Sequence, residues 1–258
     1  MPLGVWGDVT SSVDWCEPNY EWTPYIAEFF NSWSSMAMII LGEACARMNP
    51  TGYAAFTLLG RSITVVGIGS GLFHATLKYP MQMLDELPML WAISIACYIT
   101  VTTQYKIDRQ RFKILLTLWT TAVSVLTAGF SGNVQFVLFQ ASFNIASVVM
   151  LYLCWRAKKE LDAAQMEHAS ALFFSGVKLY LAAGIVWLTD TNLCQYINGR
   201  DSTSVLPFNL QLHAWWHVMA SLGLVYLVVM TMAHYCMLKG IPFKLRYILG
   251  VFPYIHSN

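Results

Sequence analysis

The sequence predicts an all-α integral membrane protein: a bundle of seven transmembrane helices, amino terminus luminal or extracellular, carboxyl terminus cytosolic. Three observations carry this expectation. Hydrophobic residues make up 57% of the 258 and charged residues only 11%, whereas a soluble domain carries about 25% charged residues. Seven apolar runs reach the ~20 residues that a bilayer crossing requires. Lys and Arg gather in alternate loops, as the positive-inside tendency requires. The formal net charge of +1 offers no basic surface for a nucleic-acid partner.

The runs fall at 25–46, 54–77, 86–104, 112–130, 134–155, 172–194 and 212–237. The stretch before them, "MPLGVWGDVTSSVDWCEPNYEW", has no Lys or Arg and no apolar core, so it does not read as a secretory signal peptide. Insertion is expected to begin with the first run. Arg47 and Arg61 flank the first loop, and Lys106, Arg109, Arg111 and Lys113 occupy the third. Arg156, Lys158 and Lys159 begin the fifth, and Lys239, Lys244 and Arg246 lie in the tail. With seven crossings all of these share one side. The other side has only Lys78 and Arg200, against Asp8, Asp14, Glu17, Glu21, Asp85, Glu86 and Asp201. Lys178 is expected to snorkel from the sixth run. The gaps are short and lack Gly/Ser-rich or Pro-rich linkers, so 1–258 reads as one domain with 1–24 as its luminal segment.

Ionisable groups inside spans are costly and point to function. "QLHAWWHVMA" places His213 and His217 four residues apart, on one face of the seventh run. "GSGLFHATLKYP" places His74 near the luminal end of the second, at a shared depth. Three His with an open fourth position form a catalytic zinc arrangement, whereas structural sites fill all four positions, usually with Cys. Haem ligation by two His would leave the third unexplained. HAWWH lacks the Glu of HExxH, so a hydrolase built on it needs a base from elsewhere. Asp85, in "MLDELPML", is the best-placed candidate; Glu86 and Pro88 follow it at what reads as the start of the third helix. The helix dipole would stabilise an acid there without any catalytic role. Ser70, one turn before His74, could donate to an oxyanion or simply bond back to its own helix. Asp190 and Asn192, in "WLTDTNLC", are candidates to orient a zinc ligand; simple capping of the span's end is an equal reading for Asn192.

Cys16 and Cys194 both fall on the luminal side, where disulfides persist, and a bridge between them is expected; two free thiols are the alternative. "DWCEPNYEWTPYIAE" holds Asp14, Glu17, Asn19, Glu21 and Glu28 with no nearby cation. Such oxygen ligands invite Ca²⁺, but the Gly and twelve-residue loop of an EF-hand are missing. On spacing alone a solvated acidic loop is the better reading.

Taken together, "DWCEPNY", "YIAEFFNSWS", "FHATLKYPMQMLDELPM" and "QLHAWWH" resemble the alkaline ceramidase family along nearly the whole chain. That family is similar in turn to adiponectin-receptor-like membrane hydrolases, which share seven spans and a three-His zinc site. The resemblance implies hydrolysis of the ceramide amide within the membrane, to a sphingoid base and a fatty acid. It implies that His74, His213 and His217 ligate Zn²⁺, with Ser70 and Asp85 as catalytic partners. It implies a Ca²⁺ site made of the Asp14, Glu17, Asn19 and Glu28 side chains and the Trp15 carbonyl, and it supports the Cys16–Cys194 bridge. It leaves Asp190 unsettled. The expected partners are a ceramide-type substrate and membrane lipids, with no obligate protein partner. The expected location is the endoplasmic reticulum and/or Golgi membrane; "KLRYILGVFPYIHSN" has no recognisable sorting signal to separate them. The alternative class is a seven-span receptor or lipid-binding protein with a structural zinc.

Overall fold

A computed structural model describes residues 4–166 and 168–256. The first three residues of the amino-terminal segment, residue 167 and the last two of the tail lie outside them. The described elements are α1 (Phe29–Ser34), α2 (Met36–Arg47), α3 (Ala54–Thr76), α4 (Tyr79–Gln104), α5 (Arg109–Ala128), α6 (Gly132–Ala163), α7 (Ala169–Ile197) and α8 (Leu212–Lys239), followed by β1 (Lys244–Ile248) and β2 (Phe252–His256).

Among the described residues, the six helices α3 to α8 are each long and apolar enough to cross a membrane. The run at 25–46 is not a single long helix. It breaks at Ser35 into α1 and α2. The hydroxyls of Ser34 and Ser35 both donate to the Asn31 carbonyl, at 3.0 and 2.9 Å. Such back-bonding competes with the helical ladder and bends it. α8 is the most enclosed crossing, with Val225, Met230, Met232 and Cys236 at or near zero exposure. α5 and the outer face of α6 carry exposed Leu115, Val125, Ile145 and Val148, the pattern of a lipid-facing surface.

The all-α expectation holds for the bundle, to which a short hairpin is added: β1 and β2 pair antiparallel, from Lys244↔His256 to Ile248↔Phe252. Leu245 and Tyr247, then Pro253 and Ile255, share the alternation of a strand, and Leu249 and Gly250 take φ of 50° and 72° in the turn. The third crossing begins at Tyr79, with Pro80 in its first turn, rather than at 86. Asp85 and Glu86 therefore lie inside the helix, and Pro88 is internal.

That internal proline positions the site. Pro88 has no N–H, so the Leu84 carbonyl four residues earlier lacks its helical donor. α3 packs against this spot through Gly69. A Cβ there would lie 2.0 Å from Leu84 O and 2.8 Å from Asp85 N, so only a bare glycine permits the contact. The neighbours of the contact are Ser70 on α3 and Asp85 on α4. Gly69→Ala should therefore force the helices apart, costing about 1–3 kcal/mol as overpacking does, while Gly71→Ala, whose nearest atom would be 3.7 Å away, should be tolerated. Thermal melting of the two purified variants checks this; equal melting temperatures would refute the close-packing account.

Candidate metal centre

The end of α3 and the start of α8 run antiparallel, bringing His74, His213 and His217 together. All three are buried, at 0%, 3% and 1% exposure. One ring nitrogen from each lies within 4.8 Å of the others, a grouping that could hold a metal ion. Among the described residues this is the one set of His, Cys, Asp or Glu side chains that converges so closely.

The other ring nitrogens are held by α1 and its cap. His74 Nδ1 donates to Glu28 Oε2 at 2.5 Å. Ser34 Oγ lies 2.7 Å from His217 Nδ1. Its own proton goes to the Asn31 carbonyl, so the imidazole must donate in that pair. Both rings thereby keep Nε2 as a lone pair. His74 Nε2 and His213 Nδ1 are buried without any hydrogen-bond partner. Buried polar atoms are almost always satisfied. Two orphaned nitrogens in one cluster are the signature of a ligand set for a cation, and three imidazoles suit a borderline-soft metal.

Ser70 is fully buried. Its Oγ lies 3.3 Å from His217 Nε2 and 2.9 Å from Ser35 Oγ. Asp85 is half-buried on α4, and its backbone N lies beside Gly69, the residue before Ser70 on α3. Its neighbour Glu86 turns elsewhere: it accepts the Gln82 amide at 2.8 Å and also that of Gln135, binding α4 to α6. Below the centre, Trp216, Ala220 and Leu224 of α8 line an apolar cavity of about 310 Å³ together with residues of α3, α4, α6 and α7.

The amino-terminal segment is strapped over this end. A disulfide joins Cys16 to Cys194, with Cα atoms 5.3 Å apart. Trp15 stacks on His213, ring centroids 3.7 Å apart and planes at 21°. Asp190 accepts the Cys16 N–H at 3.2 Å and faces the backbone N–H of His213. It thus secures the strap and the start of α8. Asn192 is exposed, its amide returned to the Leu188 carbonyl.

Within the strap, Glu17 accepts the Phe30 and Asn31 N–H groups at 2.7 and 2.9 Å. Glu28 Oε1 accepts the Trp15 N–H at 3.0 Å. The Asn19 amide donates to both Asp14 oxygens, leaving its own oxygen buried and unsatisfied. Burial pushes the Glu17 carboxyl up to about 7, and the charge of Glu28 acts in the same direction. Burial also raises Asp14. These are carboxylates gathered without a counter-charge.

Sequence reasoning missed Ser34, Ser35, the Glu28–His74 contact and the Trp15 stack. Only the serines left a visible signal, as the polar doublet of "NSWSS" inside an apolar run.

Six helices of membrane-spanning length around a buried three-histidine centre define a multi-pass membrane protein with a candidate metal site. The chain belongs to the ceramidase family, whose family model, described as Ceramidase, matches residues 7–256. It is 30% identical to alkaline ceramidase YPC1 of Saccharomyces cerevisiae, over 88% of this chain and 77% of that one. It is 30% identical to alkaline ceramidase of Arabidopsis thaliana, over 97% and 94%. It is 28% identical to alkaline ceramidase 3 of Mus musculus, over 97% and 93%.

Removing the partner of a ligating imidazole typically costs about 10–100-fold in metal affinity. Ser34→Ala should do so by freeing the His217 ring. Competition with a chelator of known affinity measures it, and an unchanged affinity would remove Ser34 from the site.

Proposed function

We propose that this chain is a zinc-dependent ceramidase that hydrolyses the ceramide amide within the membrane, with calcium stimulating it. The observation that carries this reading is the pair of orphaned nitrogens in a buried three-histidine cluster; Trp216 and Ala220, beside His217 on α8, line an apolar cavity. The names of the relatives support the substrate class.

The topology that suits this reaction has seven crossings. α1 and α2 act together as the first: Phe29 to Arg47 is 19 residues, about 28 Å of helix, against a hydrocarbon core of ~30 Å. The strap and the centre then face the lumen of the endoplasmic reticulum and/or Golgi, and the tail faces the cytosol. The whole chain is one domain.

His74, His213 and His217 would hold the zinc. When bound, zinc acts as a Lewis acid, acidifying water and polarising the amide carbonyl. Asp85 takes the proton of the attacking water and returns it to the leaving amine, so the C–N bond breaks to a fatty acid and a free sphingoid amine. Ser70 donates to the developing oxyanion. The Ser35 proton is committed to Asn31, so Ser35 accepts the one Ser70 proton at rest, and Ser70 must turn that proton away from Ser35 to meet the oxyanion. The lipid tails occupy the apolar cavity.

Purified protein in nanodiscs tests this directly. Wild type should release fatty acid and sphingoid base in equal amounts. Asp85→Asn should keep its metal and lose about 10²–10⁴ in turnover, the usual contribution of a general base. Near-normal turnover would end that role, and loss of metal would make Asp85 a ligand. Release of no product by wild type would leave a receptor or lipid-binding protein with a structural zinc.

Calcium is proposed to bind the Asp14, Glu17, Asn19 and Glu28 side chains and the Trp15 carbonyl, neutralising the strap's carboxylates. Added after chelation, it should raise the melting temperature by mass action, and raise it less in Glu17→Gln. A wild-type melting temperature indifferent to calcium would return this segment to a plain acidic loop.

A further inference from the structure

The end of the bundle opposite the centre carries a feature that hydrolysis leaves unused. The β1–β2 hairpin folds back along α8. The Tyr226 hydroxyl donates to the Val251 carbonyl at 2.7 Å, and Ile255, 2% exposed, packs into the core with Leu245 beside it. The turn itself is uncovered and apolar. Leu249 is 95% exposed, flanked by Ile248 and Val251 at 44% and 52%. Left-handed turn positions usually take Gly, Asn or Asp. Here Leu249 sits at φ 50° and presents apolar surface instead.

Two cations locate the tip relative to the bilayer. α7 and α8 cross where a Cβ on Gly176 would lie 3.0 Å from Gly223 O and 2.9 Å from Leu227. Exposed Lys178, two residues from that crossing, is level with the Gly223–Leu227 stretch, which contains Tyr226. Exposed Arg61 lies about 20 Å before His74 on α3, and the same distance past His217 on α8 reaches Met230. Cations within apolar helices reach for the headgroups. The headgroups on this side therefore lie just beyond the level of Tyr226 to Met230, short of the α8 terminus at Lys239. The hairpin tip is at or just inside that plane. Its exposed base, Lys244, Arg246 and His256, lies beyond it.

We infer that the hairpin is a membrane-interface anchor: Ile248, Leu249 and Val251 insert among acyl chains, with Lys244 and Arg246 at the headgroups. Backbone groups entering hydrocarbon must be satisfied internally. Those of Val251 are: its N–H donates to the Ile248 carbonyl at 3.1 Å and its carbonyl accepts from Tyr226, which leaves the Leu249 and Gly250 backbone for headgroup depth, with their neighbours' side chains reaching the acyl chains. The free strand edges stay where water reaches them. An apolar tip over a basic base is the arrangement that holds a peripheral element in an anionic leaflet. The inference rests on the membrane reading of the helices and not on the reaction.

The test places an environment-sensitive fluorophore at Leu249→Cys, in protein reconstituted into nanodiscs of phosphatidylcholine and phosphatidylserine. Cys45, Cys154 and Cys236 are buried and Cys97 is partly so; wild type taken through the same labelling supplies the background. The Leu249 probe should be blue-shifted and quenched several-fold more by lipids with a nitroxide on the acyl chain than by aqueous iodide. The same probe at Arg246→Cys should show the reverse preference. A Leu249 probe quenched by iodide as strongly as the Arg246 probe, and indifferent to the nitroxide lipids, would overturn the anchor.

Discussion

The structure depends on how three imidazoles can be buried in an apolar bundle. Each ring carries two polar nitrogens, and an unsatisfied one costs about 1–3 kcal/mol. α1 answers for one nitrogen on each of two rings: Glu28 takes His74 Nδ1 and Ser34 takes His217 Nδ1. The nitrogens that remain face a common point, where a cation can satisfy them together. The short first helix, its break at Ser35 and its cap at Glu28 all follow from serving those rings.

The strap extends the same logic outward. Trp15 covers His213, Asp190 holds the backbone of Cys16, and the disulfide ties both to the end of α7. Glu28 belongs to both systems: one oxygen accepts from Trp15 in the strap and the other from His74 in the centre. Any cation that orders the acidic strap therefore acts on the carboxylate that orients a ring of the centre. This end of the bundle is closed at once by a disulfide, an aromatic stack and a shared carboxylate.

Much of this was legible in the chain. The four-residue spacing of His213 and His217, the placement of His74 and the alternation of charged loops all follow from periodicity and from the cost of charge in lipid. What was illegible has a common cause. Hydropathy reports the average solvent of a segment and not the partner of each polar atom. It therefore ran through Ser35, where two hydroxyls bend the helix, and merged α1 with α2. It placed a helix start at Pro88, because a proline usually marks one, although Pro80 already served. The contact of Gly69 with Leu84 O depends on two distant residues at once, and no local pattern encodes it. The hairpin was hidden because its charged residues drew attention as a topology signal, while the alternation of Leu245, Tyr247, Pro253 and Ile255 went unread.

The central claim is that the three histidines hold one metal ion on which the chemistry depends. Protein stripped by chelation and given Zn²⁺ in steps, with bound metal and released fatty acid measured on the same samples, tests it most directly. The account predicts activity near zero in the stripped protein, rising in proportion to bound zinc and levelling at one equivalent per chain. Full turnover by protein free of metal, or zinc bound at one equivalent without any return of activity, would contradict it.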